Sequence, residues 1–249
     1  MINAELHKQP VALDREQHRK LRLRQDVNHL AAAQTFNAFF LTAAEFGDAC
    51  KEYPILFLPA GKDGDGKTLV APVAVFGLAQ GENLFLQADG RWDAHYVPAI
   101  LRAYPFTMAR VADDRYVVCF DAASPGVSET EGTPLFQENG EGSTLLQDVS
   151  KFVEQVEVEV ERTRLIGKRL MELNLLKPKR FDAKLSDGTP VQVDGFLAAD
   201  EETLNALPDA DLLDLQRNGL LMLLHAHQFS MGNMRRLIDR RLARLQTPG

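Results

Sequence analysis

In the stretch Ser143-Thr-Leu-Leu-Gln-Asp-Val-Ser-Lys-Phe-Val-Glu-Gln-Val-Glu-Val-Glu-Val160 the periodicity of the chain changes. Leu145, Val149, Phe152, Val153, Val156 and Val160 recur at three and four residues, the spacing of one helix face. Thr144 with Gln147 has the form of a capping box, whose side chains satisfy orphan amides of a first helical turn. The pattern predicts a helix that opens at Ser143/Thr144 and ends by Lys177, ahead of Pro178, with Gly167 as a candidate break. The run from Val156 to Val160 also alternates with period two, which leaves a strand as the alternative there.

Upstream, short β-prone runs dominate. Residues 5–29 are polar, and Leu21 and Leu23 alternate with Arg22 and Arg24 as in a short edge strand. Thr42-Ala-Ala-Glu45 is another capping box, predicting a short helix over 43–51 that stops before Tyr53-Pro54, because the residue preceding proline is pushed out of the α region. Runs rich in Val, Ile, Leu and Phe predict strands over 55–58, 69–78, 84–87 and 116–120. Residues 92–104 suit a short helix or irregular platform with Pro98 near a helix start. Residues 121–142 read as a long surface connection. Downstream, Ser186-Asp-Gly-Thr189 between two alternating segments predicts a hairpin, and helices follow over 203–206, 209–218 and 220–245, with Gly219 between the last two. The expected class is α+β: an N-terminal antiparallel β-meander region with short helices over 1–140, and a mostly helical region with one β-hairpin over 141–249, packed together as one unit.

Composition fits an ordinary globular chain. Its 249 residues are 45% apolar and 25% charged, which supplies a sizeable core and excludes disorder, collagen and a small disulfide scaffold. The net charge of −7 argues against a general attraction to nucleic acid. Cys50 and Cys119 read as buried thiols, with a disulfide as the alternative. Charges from Glu5 to Lys20 leave no room for the apolar core of a signal peptide, and no run reaches the roughly 18–20 apolar residues of a membrane span. The expected compartment is the cytoplasm.

Several strings resemble chemical motifs. Gly61-Lys-Asp-Gly-Asp-Gly-Lys-Thr68 matches the phosphate-binding loop formally, but that loop needs a helix directly after it. Residues 69–76 are β-prone and contain Pro72, so the string reads as a hairpin turn. A calcium loop would need glycine where Thr68 stands. No Cys-x-x-Cys, His-Glu-x-x-His or Gly-x-Ser-x-Gly occurs, and His225 and His227 are spaced for different helix faces. No cofactor or metal is expected. Acidic residues number twelve against two basic between Ala112 and Glu161, and basic residues eight against two acidic between Arg162 and Lys184. Arg235, Arg236, Arg240, Arg241 and Arg244 follow near the end. These blocks read either as solvated helix faces bridging one another or as a basic face for an acidic protein partner. Trp92, Tyr96, Arg102, Tyr104 and Phe106 form an aromatic-arginine segment, the composition of binding hot spots and equally of a small core. They are the candidate binding residues.

The chain resembles the SapC family of bacterial proteins. The resemblance rests on Val11-x-Leu-Asp-Arg-Glu-x-His18, Leu41-Thr-Ala-Ala-Glu-Phe46, Tyr53-Pro-Ile55, Trp92-x-x-x-Tyr-Val-Pro-Ala99 with Arg102 and Tyr104-Pro-Phe106, Leu207-Pro-Asp209, and Ala226-His227 followed by Ser230. The family carries no catalytic residues to transfer. Its members sit beside flavin-dependent halogenase-like proteins and outer-membrane receptors, which implies a role in a surface or uptake system. The leading expectation is a cytoplasmic accessory protein that docks a protein partner, a flavin-dependent halogenase-like protein or a receptor-system component, through the aromatic-arginine segment and the basic C-terminal helix. One alternative is a cofactor-independent enzyme acting on a peptide or small molecule, with Glu45 as acid/base and His227 assisting, since both fall within family motifs. The other is a surface-layer component exported without a conventional signal.

Overall fold

The computed structural model describes residues 2–112, 115–184 and 188–246. In chain order, β1 (Pro10–Ala12), β2 (Arg22–Leu23) and β3 (Ala38–Phe40) precede α1 (Phe46–Ala49) and the hairpin of β4 (Ile55–Lys62) and β5 (Thr68–Val75). Then come α2 (Ala99–Ala103), β6 (Phe106–Ala112), β7 (Arg115–Asp121), β8 (Val127–Ser128), β9 (Thr133–Pro134) and α3 (Thr144–Glu172). The chain continues through β10 (Leu176–Lys184), β11 (Pro190–Ala199), α4 (Glu201–Asn205), α5 (Asp209–Arg217), α6 (Leu220–Ser230) and α7 (Asn233–Gln246). The strand-rich beginning, antiparallel pairing and helical end make this an α+β protein. Among the described residues, no helix is long and apolar enough to cross a membrane.

Contacts group the chain into two compact units: residues 1–33, 88–91 and 99–160, and residues 34–87, 92–98 and 161–249. The first holds an antiparallel sheet of order β1-β7-β6 and a smaller one of order β8-β2-β9. Phe106 faces Phe120 and Met108 faces Val118 across β6 and β7. Phe106, Met108 and Phe120 share a core with Leu21, Leu135, Leu146 and Val153, while Val149 and Phe152 pack against it partly exposed. The helical stripe read from the sequence is therefore the face that closes this core, and residues 156–160 are helical. Strand β6 escaped the sequence reading because Thr107 and Arg110 interrupt its apolar run.

The second unit is built on a five-stranded antiparallel sheet of order β10-β11-β4-β5-β3. The phosphate-loop string is the β4–β5 turn, and Asp63 Oδ1 closes it by accepting from the amides of Asp65 and Lys67. Helix α3 runs unbroken through Gly167, contrary to the expected break. A Cβ at Gly167 would lie 2.8 Å from the Val70 carbonyl oxygen, so this glycine permits close packing on β5. The helix stops at Glu172, and Asn174, at φ 56, turns the chain into β10. Pro178 falls in that edge strand, where its missing N–H costs no ladder bond.

Three expectations are corrected. Residues 84–87 form no strand, only a bridge between Leu86 and Trp92, because Asn83 Oδ1 draws the amides of Phe85 and Leu86 into a turn. The single helix over 220–245 is two, separated at Met231 and Gly232. Both cysteines are free thiols, and Cys50 is only half-buried. The hairpin of β10 and β11 is present, but Ser186 and Asp187 of its expected turn lie outside the described residues.

Candidate functional site

The five candidate binding residues fall into two sets, Trp92 and Tyr96 in the second unit and Arg102, Tyr104 and Phe106 in the first. Trp92, Tyr104 and Phe106 are 8%, 8% and 2% exposed, so most of the segment is core and not an exposed hot spot.

In the second unit the aromatic residues make a closed box. The Trp92 indole N–H donates to the Tyr53 hydroxyl at 2.8 Å, and Tyr53 donates to the Tyr96 carbonyl. The Trp92 ring meets Phe76 edge-on at 5.1 Å and stacks on Phe85 at 6.1 Å. Arg240 of α7 lies 4.2 Å from the Phe85 ring centre and donates to the Asp93 carboxylate at 2.7 Å. Burial pushes the Tyr53 phenol upward, which keeps it a neutral donor. The C-terminal arginines are turned onto their own unit: Arg236 donates to the Lys51 carbonyl, Arg241 faces Glu82 at 3.4 Å, and Arg244 donates to the carbonyls of Asn83 and Leu86. They cap carbonyls that no helix or ladder satisfies, so this helix does not present the basic docking face expected of it.

Glu45 and His227 also lie in the second unit, each held by structural bonds. Glu45 Oε2 accepts from the Thr42 amide at 2.7 Å and hydroxyl at 2.8 Å, and Oε1 accepts from the Tyr96 hydroxyl at 2.9 Å. The sequence-read capping box is thus formed, with Glu45 as its reciprocal member. His227, 1% exposed, donates from Nδ1 to the Ile55 carbonyl at 2.8 Å and accepts at Nε2 from the Ala199 amide at 3.0 Å. These bonds fix the tautomer and occupy both ring nitrogens. Burial lowers its pKa from 6.5 to about 4, with the Ile55 carbonyl opposing. Between β4 and β11 the backbone pairing is Leu197 with Phe57, and the imidazole joins Ile55 to Ala199, the next opposed pair. Ser230 accepts from the Ile55 amide and donates to the His227 carbonyl, so both residues rivet α6 to the sheet.

The first unit is different. Arg102, on α2, is exposed, and its guanidinium lies 5.1 Å from the Phe152 ring centre. Beneath it is an open hollow of about 390 Å³, walled by Leu23, Ala103, Tyr104, Phe106, Val149 and Phe152, with Gln25, His29 and Asp148 also lining it. A smaller hollow of about 200 Å³ shares His29 and Tyr104. Tyr104 forms the floor because its hydroxyl donates to Asp121 Oδ2 at 2.9 Å, and Asp121 Oδ1 accepts from the amides of Gln9 at 2.7 Å and Ala123 at 3.2 Å. Burial would raise the Asp121 carboxyl, but those donors outweigh it and hold it low. Burial also pushes the Tyr104 phenol up to about 12, the nearby Ser124 hydroxyl opposing and Asp121 adding to the rise. His29 stands edge-on to Tyr104 at 6.5 Å and donates from Nε2 to the Arg24 carbonyl. Its position needs Gly126, where a Cβ would lie 2.1 Å from His29 Cε1.

Sequence reasoning found Arg102, Tyr104 and Phe106 but missed the partners that make the hollow. Val149 and Phe152 were legible as a helix stripe, though not as walls. His29 and Gly126 carry no local signal. Among the described residues, no three His, Cys, Asp or Glu side chains converge on a metal position. The chain has no significant match among curated proteins or solved structures. The SapC family model spans residues 13–237, which takes in both arginine clusters, the hollow and the His227 rivet, and the chain belongs to that family.

Proposed function

We propose that the protein is a non-catalytic, cytoplasmic accessory protein of a bacterial surface or uptake pathway. It binds a partner protein at the hollow beside Arg102, taking an apolar side chain of the partner whose neighbouring carboxylate meets the guanidinium. The partner in this reading is a flavin-dependent halogenase-like protein or a receptor-system component. The observation that carries it is the hollow itself: about 390 Å³, mostly apolar walls and an exposed arginine at the rim. Concave apolar sites with a few polar groups at fixed places are where proteins take ligands and anchor side chains. An enzyme built on Glu45 and His227 is disfavoured, because one caps a helical turn and the other has both nitrogens bonded to backbone.

Calorimetric titration of the chain with a purified flavin-dependent halogenase-like protein tests the reading. Arg102→Glu is expected to weaken the complex by roughly a hundredfold, the scale of a hot-spot loss. Unchanged affinity in that variant rejects the hollow as the docking site.

A further inference from the structure

We infer that the same hollow also accepts a free α-amino acid with a large apolar side chain, which competes with the partner. The competition rests on the docking reading; the occupancy rests on the hollow alone. At about 390 Å³ the space lies at the small end of the roughly 300–1,000 Å³ typical of small-molecule sites. Phe106, Val149 and Phe152 offer the apolar wall that a large side chain would cover. The rim carries charges of both signs. Arg102 sits over Phe152 with the face of its guanidinium, which leaves the edge N–H donors directed away from the ring plane. Asp148 lies four residues before Phe152 on α3, so the two share one helix face about 5–6 Å apart. Arginine and aspartate flanking one apolar wall match the carboxylate and ammonium of a zwitterion whose side chain lies between them. An apolar acid would leave Asp148 without a counterpart, and an apolar amine would do the same to Arg102.

The experiment titrates the full chain calorimetrically with L-phenylalanine, hydrocinnamate, phenethylamine and L-alanine. Hydrocinnamate lacks the ammonium, phenethylamine the carboxylate and alanine the ring. L-Phenylalanine is expected to bind at about 1 mM or below, with each of the others at least roughly tenfold weaker. Arg102→Leu is expected to abolish the advantage over phenethylamine, and Asp148→Leu the advantage over hydrocinnamate. Melting curves confirm that each variant is folded, and the analogue series on the unaltered chain decides alone if one is not. Absence of binding, or equal binding by all four compounds, overturns the inference. If phenylalanine binds but leaves the affinity for the partner unchanged, competition is overturned. If the partner never binds, the docking reading falls, while the analogue series still decides the pocket.

Discussion

Two arginines stand over phenylalanine rings, one in each unit, and they do different things. Arg240 in the second unit is clamped to Asp93 above Phe85, over a box in which Tyr53, Phe76 and Trp92 fill the interior. Arg102 in the first unit stands over Phe152 at the rim of a hollow that no side chain fills. The residue types are the same. What differs is the supply of neighbours: the box has a tryptophan and a chain of hydroxyl donors to complete it, while the hollow has Ala103 and Val149 where larger groups would close it. Aromatic and arginine content therefore marks a place of high packing energy, and only the surroundings decide between core and binding site.

The comparison breaks most readily at Trp92. Trp92→Ala is expected to cost about 3–5 kcal/mol by urea denaturation, the range for emptying a packed aromatic site. A loss below about 1 kcal/mol would mean that the box is not core.

The rivet at His227 sharpens the contrast through pH. Its folded pKa of about 4 lies below the ordinary 6.5, so as pH falls the unfolded chain takes up the proton first. The stabilising effect is complete above pH 6.5, declines between 6.5 and about 4, and is flat below, amounting to about 3 kcal/mol. The stability difference between the unaltered chain and His227→Asn should shrink by that amount across the interval. A difference independent of pH would show that His227 is not held neutral by burial.

The smallest effects separate the arginines themselves. Arg240→Met is expected to cost about 2 kcal/mol, since it removes charged hydrogen bonds to Asp93. Arg102→Met should change stability by less than about 0.5 kcal/mol, as expected of an exposed side chain. Equal costs in thermal melts would erase the distinction between clamp and rim.

The long helix was legible because its apolar stripe extends over many turns, and the Thr42–Glu45 box because both members lie in one local string. The α+β class followed from the order of those signals. The start of β10 was hidden because Pro178 reads as a helix terminator, and in an edge strand it costs nothing. Residues 84–87 looked like a strand because their composition suits one, but the Asn83 side chain competes for the amides. At the site, Arg102, Tyr104 and Phe106 stood out by type. The hollow depends on His29, Val149 and Phe152, which meet Tyr104 and Phe106 only after folding, so no spacing rule could expose it. The inward turn of the C-terminal arginines was equally invisible, since sequence shows charge and not which carbonyls lack donors.

The imidazole between β4 and β11 also bears on the order in which the chain can mature. Ile55 and His227 are separated by 172 positions, yet the seam of the sheet is finished only when their bond forms. During vectorial synthesis the early hairpin of β4 and β5 emerges long before α6 exists. Until then the Ile55 carbonyl and amide face water, and the strand edge beside them stays open to any passing chain. The second unit therefore completes its sheet late, and a ribosome stalled short of residue 227 would hold a nascent chain with an unguarded edge.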